Sequence, residues 1–221
     1  MATQNVLTTK VQENALTPNL AYAKLANDEQ IARTVKALEL NGIHAVVVEN
    51  GAAARRKVAE LLPAGAEVFI SSSTTLNTLG ITEDVDQSGR YESVRAKLSK
   101  LDRKTQGREM IKLGATPEYV LGSVHALTET GNAIIASASG SQLGPYVSGA
   151  AKVIWVVGSQ KIVPTLEEGF KRVEEYTLAL ENVRAMKAYG MNSSINKLLV
   201  VNREVIPGRI TVVIVKENVG F

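Results

Sequence analysis

Short, uninterrupted apolar runs recur along the chain, and between them the apolar positions spread to helical intervals. His44–Val48 (HAVVV), Glu67–Ser71 (EVFIS), Tyr119–Ser123 (YVLGS), Ala133–Ser137 (AIIAS) and Val153–Val157 (VIWVV) read as strands, as do Leu198–Val201 and Ile210–Val215. From Asp28, Ile31, Val35 and Leu38 keep helical spacing until Asn41-Gly42 supplies a stop. Ala52–Leu62 predicts a second helix, ended by Pro63. A long helix opens after Pro164 with the capping box Thr165-Leu166-Glu167-Glu168. Its stripe of Leu166, Phe170, Val173, Thr177 and Leu180 is expected to face a sheet. Between Arg90 and Lys112, eight Lys/Arg and three Asp/Glu surround Val94, Leu98 and Leu101. That pattern predicts an amphipathic helix with a solvated basic face, or a positive rim around an anionic ligand.

Strands apolar throughout, alternating with helices, predict an α/β sandwich whose sheet is largely parallel and covered on both faces. The runs flanking Thr128–Gly131 and Pro207-Gly208 suggest hairpins, which would make the sheet mixed. Residues 1–27 are polar and weakly patterned and are expected to form an N-terminal arm. Residues 28–221 contain no linker rich in Pro, Gly or Ser and no fixed-period repeat, so they are read as a single domain.

Composition narrows the chemistry. With 45% hydrophobic and 21% charged residues the chain is of ordinary globular type. A net charge of +3 and an aromatic share of 5% argue against nucleic acid as a partner. Cysteine is absent and histidine occurs only at His44 and His125. Disulfides, iron–sulfur ligation, thiolate metal sites, thiol nucleophiles and multi-histidine metal sites are therefore excluded. No run approaches the roughly 20 apolar residues of a membrane span, and no signal-type segment opens the sequence. A cytoplasmic protein without membrane association is the expectation.

Three predicted strands run into small polar loops: Ser71–Thr75, Ser139–Gln142 and Gly158–Lys161. Each alone is ordinary turn and cap chemistry. Ligands of open α/β sheets, however, bind beyond the carboxyl ends of strands, so three such loops together predict a cleft for a small anion. Ser73, Thr74, Ser141 and Gln142 are its expected walls and Lys161 its natural cation. In the stretch HALTETGNAIIASASGSQLGP, Glu129 occupies a Thr-Glu-Thr-Gly turn before a buried strand. It is the candidate base or nucleophile, provided it reaches the cleft rim. His125 reads as a hydrogen-bonded core histidine.

Taken together, these segments resemble the lactate-utilization (LUD) domain family in its LutC/YkgG branch, over nearly the whole chain after Glu29. GIHAVVVENGAAARRKVAELLPAGAEVFISSSTTLNTLGI is similar to the family's opening βαβ unit. YVLGSVHALTETGNAIIASASGSQLGPYVSGAAKVIWVVGSQKIV is similar to its central signature, and LEEGFKRVEE and PGRITVVIVKENVGF to its closing elements. The resemblance implies a fold of the NagB/RpiA/CoA-transferase type and a role in oxidising L-lactate, or a related organic acid, beside iron–sulfur oxidoreductase subunits. It also implies that Glu129 corresponds to the glutamate that related CoA transferases acylate. Two departures stand out. The stretch AYGMNSSINK lacks the cysteine cluster of many relatives, removing any metal or redox role there, and Ser71-Ser72-Ser73 replace glycines, narrowing backbone approach to a ligand. A non-catalytic scaffold or regulatory subunit, and a free-standing acyl-CoA or sugar-phosphate enzyme of the same fold, are the alternatives. A homodimer is also expected.

Overall fold

In a computed structural model, which describes residues 16–221, the strands form two sheets. The larger holds β1 (His44–Val48), β2 (Glu67–Ile70), β3 (Glu92–Ser93), β4 (Tyr119–Gly122), β7 (Lys152–Gly158) and β10 (Ile210–Val215). The smaller holds β5 (Ala126–Thr128), β6 (Ala133–Ser137), β8 (Ile162–Val163) and β9 (Lys197–Val201). In the larger sheet the order is β1-β10-β7-β4-β2-β3 and every neighbouring pair is parallel. All its strands therefore end at one edge.

Alternation along β7 divides the core. Val153, Trp155 and Val157 point into a cluster shared with Ile31 and Leu38 of α1 (Asp28–Leu40), whereas Ile154 and Val156 point the other way. On that second face they meet Ala54 and Val58 of α2 (Gly51–Leu61), with α3 (Thr74–Thr78) and α4 (Ile81–Gln87) completing the cover. The small sheet is an extra layer on the first face. Ala133 and Ile135 of β6 join the Trp155 cluster, while Ile134 and Ala136 face Leu166 and Phe170 of α7 (Leu166–Arg172).

The α/β sandwich with a parallel sheet forms as expected, but antiparallel pairing is confined to the small sheet. The hairpin at Thr128–Gly131 joins β5 to β6, with Ala126 opposite Ile134, while β4 stays in the parallel sheet. No hairpin forms at Pro207-Gly208, because β9 and β10 belong to different sheets. The basic stretch is two helices, α5 (Val94–Leu98) and α6 (Arg103–Ala115). Asp102 caps the second by accepting from the Lys104 amide, so the chain restarts there rather than continuing one helix. Of the expected arm, residues 1–15 lie outside the described residues. Beyond them the segment is docked: the Asn19 amide donates to the Glu175 carbonyl (2.9 Å) and the Tyr22 hydroxyl to Glu168 (3.0 Å).

Where β4 passes β7, Gly122 stands opposite Trp155. The Tyr146 hydroxyl is 2.8 Å from Ser71 Oγ, which itself donates to the Leu121 carbonyl, and the Tyr146 ring meets Trp155 edge-on at 5.4 Å. A Cβ on Gly122 would lie 1.7 Å from Tyr146 Oη and 2.2 Å from Ser71 Oγ. Gly122→Ala is therefore expected to cost about 3 kcal/mol in denaturant-unfolding measurements. Combining it with Tyr146→Phe should recover part of that loss, giving a non-additive double-mutant cycle.

Candidate functional site

Beyond the C-terminal edge of β2, β4 and β7 lies a cleft of about 770 Å³. Ser73, Thr74, Ser141, Gln142 and Lys161 all line it, together with Thr75, Ser123 and His125. The Ser139–Gln142 loop arrives from the small sheet rather than the parallel one, because β6 runs across the first face and delivers its last residues to the same edge. That loop is tied to itself. Gln142 donates to the Ala136 carbonyl (3.2 Å) and accepts from Ser137 Oγ (3.0 Å), which also receives the Gly140 amide (2.8 Å). Ser73 likewise caps α3 by accepting the Leu76 amide at 3.4 Å.

Lys161 leaves the end of β7 in a 3₁₀ turn (Ser159–Lys161) and is 1% exposed. Its Nζ donates to Thr75 Oγ1 (3.0 Å), Ser123 Oγ (3.1 Å) and the Val124 carbonyl (3.2 Å). None of these carries a charge. Burial, and then the nearby Arg172 guanidinium, hold the ammonium well below its ordinary titration range.

Arg172 was not singled out by sequence, and it is 0% exposed. A π-helical turn (Val173–Thr177) separates α7 from α8 (Leu178–Tyr189), and Gly169, Arg172, Val173, Tyr176 and Thr177 are buried along one face at ordinary helical spacing. The guanidinium donates to the carbonyls of His125 and Gln160 and to Thr177 Oγ1, lies 5.0 Å from the Tyr176 ring centroid, and leaves Nη2 without a partner among the described residues. Burial lowers its pKa to about 10. Between the two cations, His125 accepts the Ala136 amide at Nδ1 (3.0 Å), which puts the proton of the neutral ring on Nε2. Burial first, then Lys161 and Arg172, push this imidazole down to about 3.

Glu129 does not line the cleft. Its carboxylate accepts from Gln30 Nε2 (3.0 Å) and Arg33 Nε (2.7 Å), both on α1, and the Arg33 bond in particular holds its pKa below the usual range. Both oxygens are thus occupied in fastening the β5–β6 turn to a helix. The one acidic side chain among the described lining residues is Glu181, and it is paired with Arg184 at 2.6 and 2.7 Å. Among the described residues no carboxylate pairs with Lys161, Arg172 or the lining residues Arg95 and Arg103, and no cluster of His, Asp or Glu is placed to hold a metal ion. No helix there is long and apolar enough to cross a membrane.

The fold and site define an α/β protein with a positively charged, hydroxyl-lined cleft at the C-terminal edge of a parallel sheet. The sequence model of the LUD domain matches residues 31–215, and the chain belongs to the LUD domain family. It shares its fold with the crystal structure of a DUF162 family protein from Deinococcus radiodurans. The two are 16% identical, with a TM-score of 0.54 over 87% of this chain and 99% of that one. No curated protein matches the chain.

The His125 environment has a pH signature. In the unfolded chain its ring takes a proton below about 6.5, whereas the folded protein resists it down to about 3. The unfolded state therefore binds more protons across that window, and stability falls as pH drops through it by up to about 1.4 kcal/mol per pH unit. His125→Asn, which keeps an acceptor for the Ala136 amide, is expected to give a shallower stability–pH curve than the wild type between those values, measured by chemical denaturation.

Proposed function

We propose that this protein binds an anionic ligand on Lys161 and serves in the utilization of lactate or a related organic acid. Membership of the LUD domain family supports the metabolic setting. The LutC/YkgG branch is our assignment within it, and iron–sulfur oxidoreductase subunits are the proposed partners, supplying redox centres that a chain without cysteine does not hold. A cytoplasmic location follows from that partnership.

The observation that carries the reading is Lys161 itself. An ammonium buried to this degree is destabilised by several kcal/mol unless another charge compensates it, and the hydroxyls of Thr75 and Ser123 and the Val124 carbonyl supply only dipoles. A bound anion provides the missing charge. Thr75 and Ser123 can then turn their hydroxyls to it, Ser73, Thr74 and Ser141 offer further donors along the wall, and His125 Nε2–H supplies a neutral one. Lys161 orients the anion and Arg172 reinforces the field from behind His125. Glu129 has no part in this chemistry, since α1 holds it.

Lys161→Met keeps the length of the side chain and removes the charge. Without ligand the variant is expected to match or exceed the wild type in melting temperature, because a buried unpaired ion is replaced by an apolar group. It should lose the upward shift that millimolar phosphate, pyruvate or L-lactate gives the wild type in a thermal-shift assay. A wild type that responds to none of these anions, or a variant that responds equally, would overturn the reading.

A further inference from the structure

An anion on Lys161 fills only a small part of the cleft. A volume of about 770 Å³ lies within the range of pockets that enclose drug- or nucleotide-sized ligands. Positive charge continues beyond the floor. Arg95 on α5 donates to Ser72 Oγ at 3.4 Å, and Arg103 at the start of α6 lines the same cleft. Lys161 is anchored at Thr75 in α3 and Arg95 at Ser72 in the loop before it, three residues apart, or up to about 10 Å between Cα atoms. The charge is thus held at two stations. The α7–α8 side adds an apolar surface from Val173, Leu178, Ala185 and Ile195, with the exposed ring of Tyr189 beside them. At the floor, an ammonium and two hydroxyls approach from different elements, an arrangement suited to the tetrahedral oxygens of a phosphate.

Resting on the reading of Lys161 as an anion site, we propose that the full ligand is a nucleotide-sized compound with two separate phosphate groups. One sits at Lys161, Thr75 and Ser123, the other at Arg95 and Arg103, and the apolar body between them lies along α8. Arginine at the rim suits this role, because its planar fork grips phosphate oxygens in pairs. Arg184 is not a third station, since Glu181 neutralises it.

Calorimetric titration with inorganic phosphate, AMP and an adenosine bisphosphate carrying phosphates on both sides of its ribose separates the stations. The expected order of affinity is phosphate, then AMP, then the bisphosphate, the last step being about tenfold or more. Arg95→Gln combined with Arg103→Gln alters two rim side chains. It should bring the bisphosphate down to the AMP level while leaving the affinity of the tighter phosphate site, that of Lys161, unchanged. A bisphosphate no tighter than AMP, or a double variant that weakens all three ligands alike, would overturn the two-station proposal while leaving the anion site standing. Absence of binding by all three would overturn both.

Discussion

A strand in the middle of a parallel sheet must send its last residues over the sheet's C-terminal edge, and here those residues are Ser159, Gln160 and Lys161. β7 is fixed on one side by β4 and on the other by β10, with Val153 to Gly158 buried along its length. The turn that follows is itself buried and is held at its far end by β8, which pairs with β5, so the backbone at Lys161 is fixed from both sides. That constraint puts a cation at the floor of the cleft, and the neighbouring loops are arranged around it. Thr75 comes from the end of β2, Ser123 and Val124 from the end of β4, and His125 begins the excursion into the small sheet.

The protein handles another buried cation quite differently. Arg209 is 3% exposed, but Glu204 meets it at 2.7 Å and the carbonyls of Pro145, Tyr146 and Ala150 take its remaining donors. That guanidinium is compensated within the fold. Lys161 and Arg172 are given carbonyls, hydroxyls and an aromatic ring, but no carboxylate among the described residues. Against total stabilities of about 5–15 kcal/mol, leaving two charges so arranged is a large concession. Such concessions concentrate at binding sites, where an incoming ligand recovers the stability.

Much of this was legible in the sequence. Strands buried on both faces are apolar at every position, so VIWVV and ITVVIV announced themselves, and Thr165 capped its helix where the periodicity began. The loop residues Ser73, Thr74, Ser141, Gln142 and Lys161 were singled out by their position after apolar runs, and they line one cleft. Pairing partners were not legible, because β6 is as apolar as any strand of the parallel sheet and nothing local says which sheet it joins. Glu129 looked chemical because its partners, Gln30 and Arg33, lie about a hundred residues away in sequence. Arg172 was hidden for a similar reason. It sits beside the apolar stripe, where a charged residue reads as solvated until the fold brings up the carbonyls of His125 and Gln160 that receive it.

The compensation of Lys161 by a bound anion can be observed at the side chain itself. Carbon-13 NMR of the Cε of Lys161, assigned with Lys161→Met and followed across a pH titration, reports when the amine loses its proton. In anion-free buffer it should titrate well below the roughly 10.4 of an ordinary lysine, and saturating phosphate should move the transition clearly upward as the anion stabilises the ammonium. An identical transition with and without anion would contradict the account, as would a lysine that titrates normally in both.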